Sequence, residues 1–210
     1  GSSVVIETYA AASRRPAIRN GSLSTMTTST RDAMLGSAIR LFRERGVGDT
    51  SFADVLAASG APRGSVYHHF PGGKKQLVQE AIESAGGYVA ANFERSEDGP
   101  AEMVDRFARF YISELERTDF REGCPLMAAA VAGAKEEAAV PAANAFSQIH
   151  EALTDSLTGA GVKKPRASSL ATLAISAIEG AIILSRTEKS TEPLNQTRQE
   201  LHDIYAAALP

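Results

Sequence analysis

The side chains best suited to chemistry lie in one short run, residues 60–70, which reads GAPRGSVYHHF. Val66 and Phe70 are four residues apart, so in a helix they share one face and can anchor it to a hydrophobic core. The opposite face then carries arginine, serine, tyrosine and histidine side chains, all of which form hydrogen bonds. Residues 60–79 also contain two lysines and no acidic residue. This pattern predicts a short helix whose outer face binds an anion such as DNA phosphate.

Each residue type in this run fits a contact with duplex DNA. Arg63 can form a bidentate contact with guanine, Ser65 can donate or accept a hydrogen bond, and Gly64 lets the backbone approach closely. The tyrosine and the histidines have polar tips suited to phosphate oxygens or a thymine methyl edge, and the lysines suit phosphate. The predicted DNA-binding residues are Thr50, Ser51, Arg63, Gly64, Ser65, Tyr67, His68, His69, Lys74 and Lys75. A helix that faces only water has the same spacing, so spacing alone leaves both interpretations open.

Helical periodicity indicates how this run is positioned. Thr30 is predicted to cap a first helix that ends at Gly46, since apolar residues follow at three- and four-residue spacing. Thr50 or Ser51 is predicted to cap a second, shorter helix, and Pro62 suits the first position of a third helix that reaches the end of the run. Two short helices joined by a glycine-containing turn and braced by a longer helix form a helix-turn-helix, whose second helix enters the major groove.

The remaining sequence is also predicted to be helical, so the predicted fold class is all-α. A long helix over about residues 74–95 is followed by helices at about 100–118, 124–137, 141–159, 166–187 and 193–209, separated by glycine and proline. The predicted organisation is a flexible arm at 1–29, a helix-turn-helix domain at 30–75 with its motif at about 51–70, and a helical domain at 76–210. Gly1-Ser2 in place of Met is typical of a residual tag, and Met26 is a candidate natural start.

The composition is that of an ordinary globular protein and argues against several other classes. Hydrophobic residues make up 43% and charged residues 22% of the chain. The most apolar segment, residues 174–184, is too short to cross a bilayer and carries Glu179, so no membrane insertion is expected. The single cysteine, Cys124, excludes an internal disulfide and fits the cytoplasm. The net charge is −3, but its acidic excess falls in residues 96–210, which leaves the N-terminal part slightly basic.

Neither catalytic nor metal-binding motifs are found. The sequence has no Gly-x-Ser-x-Gly, no His-Glu-x-x-His and no cysteine pair. Residues 71–75, PGGKK, lack the first glycine and the Ser/Thr of a phosphate loop. His68 and His69 form a weak metal pair, because neighbours on a helix diverge by about 100°. We therefore predict a protein that is not an enzyme and needs no cofactor or metal, with a site assembled from distant residues or a helical interaction module as the alternatives.

Two stretches resemble a known family. The run SFADVLAASGAPRGSVYHHFPGGKKQLVQEAI (51–82) resembles the DNA-binding segment of TetR-family transcriptional repressors, and AIRLFRERGVGDTSF (38–52) resembles that family's first helix. In the family, the tyrosine and the second histidine usually bind phosphate, which implies that role for Tyr67 and His69. EGCPLMAAAV (122–131) and AIEGAIILSRTEKSTEPL (177–194) are similar to the LmrA/YxaF-type subgroup, some of whose members respond to small aromatic ligands.

The resemblance implies a repressor that binds a (pseudo)palindromic operator in double-stranded DNA as a homodimer and is released by a small, apolar or aromatic effector. The expected effector pocket comprises adaptable and aromatic side chains of the central helices, with one acidic residue: Tyr88, Phe107, Phe110, Tyr111, Met127, Phe146, His150 and Glu179. The last two helices are expected to pair with their symmetry mates through Leu170, Leu173, Ala177, Gly180, Ala181, Leu201, Ile204 and Tyr205. Each of these residues also suits ordinary core packing, and the sequence leaves that alternative open.

Overall fold

The computed structural model describes residues 29–94, 99–132 and 138–210, and in these ranges the chain forms nine helices and no strand. In chain order they are α1 (Thr30–Arg45), α2 (Phe52–Ser59), α3 (Ser65–His69), α4 (Gly73–Glu94), α5 (Pro100–Arg117), α6 (Pro125–Ala130), α7 (Ala139–Gly159), α8 (Lys164–Glu188) and α9 (Glu192–Ala208). The all-α prediction is confirmed. The predicted arm lies outside the described residues except for Ser29, and the domain boundary stays a prediction.

Serines cap the first two helices, and one of the two differs from the predicted cap. Ser29, not Thr30, caps α1, because its hydroxyl accepts a hydrogen bond from the amide of Asp32 at 3.1 Å. Ser51 caps α2 in a reciprocal arrangement with Asp54, so of the two predicted candidates the serine is the cap. Neighbouring Ser and Thr residues have the same capping chemistry, and the turn geometry decides between them.

The third helix is shorter than predicted. Pro62 does not open the helix; it lies in the preceding turn, where its carbonyl accepts hydrogen bonds from both the amide and the hydroxyl of Ser65, at 2.9 and 2.6 Å. This turn keeps Arg63 and Gly64 outside the regular helix, although both precede it directly. The predicted helix at 124–137 is likewise reduced to α6, with residues 133–137 outside the described ranges.

Val66 and Phe70 anchor α3 to the core, as the spacing predicted. Both side chains are buried, and the Phe70 ring lies 6.4 Å from the Phe52 ring of α2, measured between centroids. The guanidinium of Arg31 on α1 stands over the same ring at 5.3 Å, within the range of a cation–π contact. The inner side of α3 is therefore fixed, and its outer side is presented in one orientation.

The long helix α4 joins these short helices to the remainder of the fold. It packs against α1 at one end and against α7 further along, while α8 packs between α7 and α9 and α5 packs on α9. Gly86 marks the closest approach of α4 to α7: a Cβ atom there would lie 2.5 Å from the Cβ of Ala145. The two helices therefore meet at backbone distance, which only glycine permits.

Within the described residues, α8 is long and apolar enough to cross a membrane, with a mean hydropathy of 1.7 over 18 residues. The sequence expectation that no segment reaches this length was wrong, because it counted only the most apolar core of the helix. The buried side of α8 faces α7 and α9, and residues such as Leu170, Ile178 and Ile182 belong to the hydrophobic core. This packing is that of a central helix in a helical bundle, for which such composition is ordinary.

Candidate nucleic-acid interface

The outer side of α3 and the turn before it present polar side chains to solvent. We call Arg63, Gly64, Ser65, Tyr67 and His68 the reading face. Tyr67 is 80% exposed, which is unusual for a side chain with so large an apolar ring. Arg63, Gly64 and His68 are also exposed, and Ser65 is half-buried. Because Val66 on the opposite side is buried, the exposure is a property of one face and not of a loose segment.

A positively charged edge continues from the reading face into α4. Lys74 and Lys75 are exposed in the first turn of that helix, where backbone amides also favour anions. Glu80, the next acidic residue along the chain, pairs with Arg31 and accepts a hydrogen bond from Gln76 at 3.0 Å. Its charge is therefore offset within the domain, and the surface at residues 60–79 stays positive.

Two of the predicted DNA-binding residues have structural tasks. Thr50 is buried, and its hydroxyl donates to the carbonyl of Gly46 at 2.8 Å, so its contact with DNA stays a prediction without support from its exposure. Ser51 is exposed, but its hydroxyl donates to Asp54 at 2.6 Å and accepts from the Asp54 amide. The hydrogen bonds from Ser51, together with the guanidinium of Arg45, lower the pKa of Asp54 to about 2.

His69 lies between the two sides of α3. Its side chain is half-buried, and its ring stands edge-on to the ring of His68 with 4.9 Å between centroids. Its imidazole is therefore less exposed than the side chains of Tyr67 and His68. The structure thus brings Arg63, Gly64, Ser65, Tyr67, His68, Lys74 and Lys75 to one exposed surface, and their contacts with DNA stay predictions.

The comparisons with known proteins agree with this geometry. A family model described as "Bacterial regulatory proteins, tetR family" matches residues 35–81, and one described as "Transcriptional regulator LmrA/YxaF-like, C-terminal domain" matches residues 100–200. An uncharacterised HTH-type transcriptional regulator of Mycobacterium tuberculosis strain H37Rv is 41% identical over 187 residues, which cover 86% of this chain and 96% of that protein. The chain belongs to the TetR family.

Two further TetR-family comparisons concern the regulator subgroup and the fold. The HTH-type transcriptional regulator LmrA of Bacillus subtilis is 32% identical over 169 residues, covering 78% of this chain and 90% of LmrA. A crystal structure of a TetR transcriptional regulator from Legionella pneumophila superposes with a TM-score of 0.75 at 22% identity, covering 86% and 99% of the two chains. The protein is therefore a helix-turn-helix transcriptional regulator that binds DNA, and its relatives are regulators and not enzymes.

A buried charge cluster joins α1 of this TetR-family protein to the C-terminal helices. We call it the junction cluster: Arg43, Glu114, Arg117, Glu122 and the backbone of Gly123. One nitrogen of Arg43 lies 2.9 Å from Glu114 and 3.0 Å from Glu122. Its Nε donates to the carbonyl of Gly123, whose amide in turn donates to the carbonyl of Arg43, both at 2.9 Å. Arg43 is only 3% exposed, so the cluster fixes α1 to the C-terminal domain away from water.

The two carboxylates of the junction cluster differ in pKa. Burial raises the pKa of Glu114, but hydrogen bonds and charges from Arg117 and Arg43 outweigh it, so the net pKa is lowered. Burial dominates at Glu122 against weaker help from the same arginines, and its pKa is raised. The sequence analysis missed this cluster, although Arg43 lies four residues after Ile39 on the buried face of α1, and an arginine on an apolar face is a detectable signal.

The predicted effector residues fall in three places. Tyr88, Phe107, Phe110 and Tyr111 contact one another ring to ring, with centroids 5.2 to 6.0 Å apart. Phe146 and His150 line a shallow cavity of about 320 Å³ between α7 and α8, and His150 Nε2 lies 3.1 Å from the carbonyl of Ser168. Met127 and Glu179 line a cavity of about 380 Å³ beside the junction cluster. Their prediction as effector-binding residues stays a prediction.

The predicted dimer residues divide between core and surface. Leu170, Ala181, Leu201 and Tyr205 are buried within the chain, and the Tyr205 hydroxyl donates to the carbonyl of Leu170 at 3.0 Å. A role for these four residues in a dimer interface stays a prediction. Burial raises the pKa of this tyrosine. Leu173 is 43% exposed, while Ala177, Gly180 and Ile204 are half-buried. The prediction omitted Ile183 and Leu184, which are 50% and 53% exposed and extend the same apolar side of α8.

Proposed function

We propose that this TetR-family regulator is a cytoplasmic repressor that binds a (pseudo)palindromic operator as a homodimer and is released by a small, apolar or aromatic effector. The observation that carries the proposal is the reading face, on which Tyr67 is 80% exposed while Val66 and Phe70 hold α3 to the core. Repression is the usual sign of regulation in the family, and relatives named as repressors support it.

The shape of α3 supports docking in the major groove. A recognition helix contacts base edges with its N-terminal residues, and here these are Arg63, Gly64 and Ser65. Tyr67 and His68 then follow at the positions nearest the flanking phosphates, and Lys74 extends the positive edge along the backbone. Base contacts at one end and phosphate contacts at the other give a reading head with a fixed register.

The exposed apolar side of α8 supports the dimer. Leu173, Ile183 and Leu184 are large, apolar and 43 to 53% exposed, and Ala177 and Gly180 between them allow a partner helix to approach closely. A two-fold axis beside α8 and α9 would pair each of these residues with the same surface of a second copy. Two reading heads would then meet half-sites about 34 Å apart or a multiple of it.

Release by an effector follows from linkage. A ligand that binds better to a conformer with wrongly spaced reading heads lowers operator affinity, typically by about 5- to 150-fold. Three residues separate α3 from α4, and α4 packs on α7 of the C-terminal domain, so it is one element through which such a change can travel.

Fluorescence anisotropy with labelled DNA from upstream of the gene tests the operator proposal. Affinity should fall steeply with salt: about six neutralised phosphates imply a loss of roughly 10³-fold between about 50 and 200 mM salt. Scrambled DNA of the same length is the control and should bind more weakly at every salt concentration. Equal affinity for both DNAs, or no loss with salt, would contradict the proposal.

Sedimentation velocity tests the dimer separately. Leu184→Glu should shift the protein to monomer, because a pair of carboxylates would face each other across the axis, and operator affinity should fall with it. Glu83→Lys, a charge change on an exposed residue of α4, away from α8 and α9, is the control and should leave the dimer intact. A wild-type monomer at micromolar concentration would exclude this form of the proposal.

A further inference from the structure

Glu179 is a buried acidic residue of the described C-terminal helices, and one of its carboxylate oxygens is unpaired. It lies on α8 and is 5% exposed, and its Oε2 atom has no hydrogen-bond partner within the described part of the chain. The thiol of Cys124 donates a hydrogen bond to the carboxylate. Buried carboxylates are ordinarily paired with a cation or several donors, so this group is an exception that needs a reason.

A cavity of about 380 Å³ adjoins this carboxyl group, and we call it the junction cavity. Its walls come from the last turn of α1, the segment from Gly123 into α6, and α8. The lining is largely apolar, with Phe42, Met127, Ala128, Val131, Ile182 and Ile183. The lining also includes the charged residues Arg43, Glu44, Arg45, Glu179 and Arg186. A cavity of this size with apolar walls and a few polar groups has the form of a small-molecule site, at the lower end of the usual volume range.

The arginines around the junction cavity already have protein partners. Arg43 is held in the junction cluster, Arg45 lies 2.9 Å from Asp54, and Arg186 donates to the carbonyls of Glu44 and Arg121 at 3.2 and 2.8 Å. None of these arginines lowers the pKa of Glu179. Burial raises this pKa to about 7, and the hydrogen bond from the Cys124 thiol opposes the rise. A counter-charge for the ionised form of Glu179 would therefore come from outside the described chain.

The remaining groups that face this carboxyl do not supply a charge. Burial raises the pKa of the Cys124 thiol well above its usual value, so it stays neutral, and the Tyr111 hydroxyl of α5 neighbours that thiol. Glu44 of α1 is turned toward Arg40 and Arg121, at 3.7 and 3.9 Å. The polar end of the cavity thus offers an acceptor to a bound molecule.

We propose that the junction cavity binds a small organic cation, a protonated amine on a compact apolar or aromatic body, with the Glu179 carboxylate as its counter-charge. A charge-assisted hydrogen bond is stronger than a neutral one, and a buried carboxylate gains most from it when no other cation is near. Glu179 Oε2 is buried, and Met127, whose unbranched side chain adapts to different neighbours, lines the same cavity. The proposal specifies the effector class and rests on the proposed function only for its regulatory consequence.

That consequence follows from the wall that α1 contributes. Phe42, Arg43 and Gly46 line the junction cavity, and α1 is the helix on which α2 packs. A bound molecule therefore touches the helix-turn-helix domain directly, at the point where the junction cluster holds it. Coupling to DNA then runs through the last turn of α1 in addition to α4, and an amine that fills the cavity should lower operator affinity.

Isothermal titration calorimetry with matched probes tests the binding step on the free protein. The probes are benzylamine and 4-phenylbutylamine, compared with benzyl alcohol and 4-phenylbutanol, which have the same body without the charge. At least one amine should bind at least about tenfold more tightly than its alcohol. Its affinity should rise about tenfold per pH unit up to about pH 7 and then level off, because the cation binds the ionised carboxyl, while the amine itself stays protonated. Near pH 7, binding should release about half a proton to the buffer.

Glu179→Gln should abolish both the preference for the amine and its pH dependence while keeping the shape of the side chain. Glu188→Gln removes the same charge from an exposed position of the same helix and should behave as wild type. Ala128→Phe, which fills the cavity from the α6 side, should block the amine without touching the carboxyl. Circular dichroism establishes that each variant is folded before it is titrated.

Four results would overturn the proposal: no binding of either amine up to about 10 mM, which sets a negligible affinity; equal affinity for amine and alcohol; unchanged amine binding by Glu179→Gln; or tighter binding below pH 7, which would mean that the protonated carboxyl donates to a neutral ligand. Operator binding by the free protein is measured independently. A protein that binds the amine and no operator keeps this inference and loses the proposed function, and the reverse result does the opposite.

Discussion

On the reading face, arginine, tyrosine and histidine side chains stand in water, whereas at the junction of α1 with the C-terminal helices an arginine is 3% exposed and surrounded by carboxylates. The junction cluster satisfies its charges inside the chain and so contributes to holding two parts of the fold together. On the reading face the Ser65 hydroxyl is bonded to the carbonyl of Pro62, but the side chains of Arg63, Tyr67 and His68 are exposed and available to an external partner. This difference separates residues that set stability from residues that set DNA affinity, and each can be changed without the other.

The largest expected effect is on stability, at the junction cluster. Arg43→Met removes the cation and leaves Glu114 and Glu122 buried, which should lower the free energy of unfolding by about 3–5 kcal/mol. Urea unfolding followed by circular dichroism measures it. Arg40→Met, on the more exposed side of the same helix, should change stability by less than about 0.5 kcal/mol. Similar losses in the two variants would remove the contrast between buried and exposed arginines.

The second effect is a pH dependence at Glu179. Its folded-state pKa is raised from 4.5 to about 7, so the neutral form stabilises the fold below the unfolded-state pKa, and this contribution is lost as the pH rises through 7. Between about pH 5 and pH 8 the loss should be about 2.5 kcal/mol. Glu179→Gln should remove this slope when urea unfolding of the two proteins is compared at both pH values. Parallel curves would mean that this carboxyl does not titrate between pH 5 and 8 in the folded protein.

The third effect is on DNA affinity with stability unchanged. Arg63→Ala should cost about 1–3 kcal/mol of operator binding and relax the preference for one base, whereas Lys74→Ala should weaken all sequences alike and reduce the salt slope by about one. Both should leave the urea midpoint unchanged. Arg166→Ala and Lys163→Ala, exposed residues near the start of α8, are the matched controls and should bind as wild type. Loss of stability in Arg63→Ala would mean that this residue contributes to folding, as Arg43 does, and not only to DNA binding.

The smallest effect separates a capping residue from a DNA contact. Ser51→Ala removes the cap of α2 and should lower the free energy of unfolding by about 1 kcal/mol. If Ser51 has no second role, operator affinity measured on the fully folded variant should stay within twofold of wild type. Ser51→Thr, which keeps the hydroxyl, should restore most of the stability. A large loss of DNA affinity in Ser51→Ala alone would mean that this serine also contacts DNA.

Local patterns in the sequence predicted much of the fold and of the reading face. Val66 and Phe70 could be assigned to the core because a four-residue spacing has one helical interpretation, and this left the other residues of the run outside. The caps could not be fixed to one residue, since Ser29 and Thr30 offer the same hydroxyl. Pro62 was misplaced because a proline suits both the first turn of a helix and the turn that precedes it.

Contacts between distant parts of the chain could not be predicted in this way. Arg43 pairs with Glu114 and Glu122, which lie 71 and 79 positions further along the chain. Nothing in the local pattern of α1 indicates these partners. On α8, apolar residues cover both sides at helical spacing, so Leu170 and Leu173 look equivalent in the sequence although one is core and the other is exposed. Which side a central helix buries depends on its neighbours, and these become known only from the assembled fold.

Gly86 links the packing of α4 on α7 to the position of the DNA-binding helices. With Cβ atoms 2.5 Å apart, even Gly86→Ala would force α4 and α7 to separate. Position 86 is 12 residues from Lys74, or about 18 Å along the helix axis. A small separation of the two helices at position 86 would therefore tilt α4 and displace its end near Lys74. We therefore expect one added methyl group at this position to have the effect proposed for the effector, and a weakened operator complex in the absence of any small molecule would reveal it.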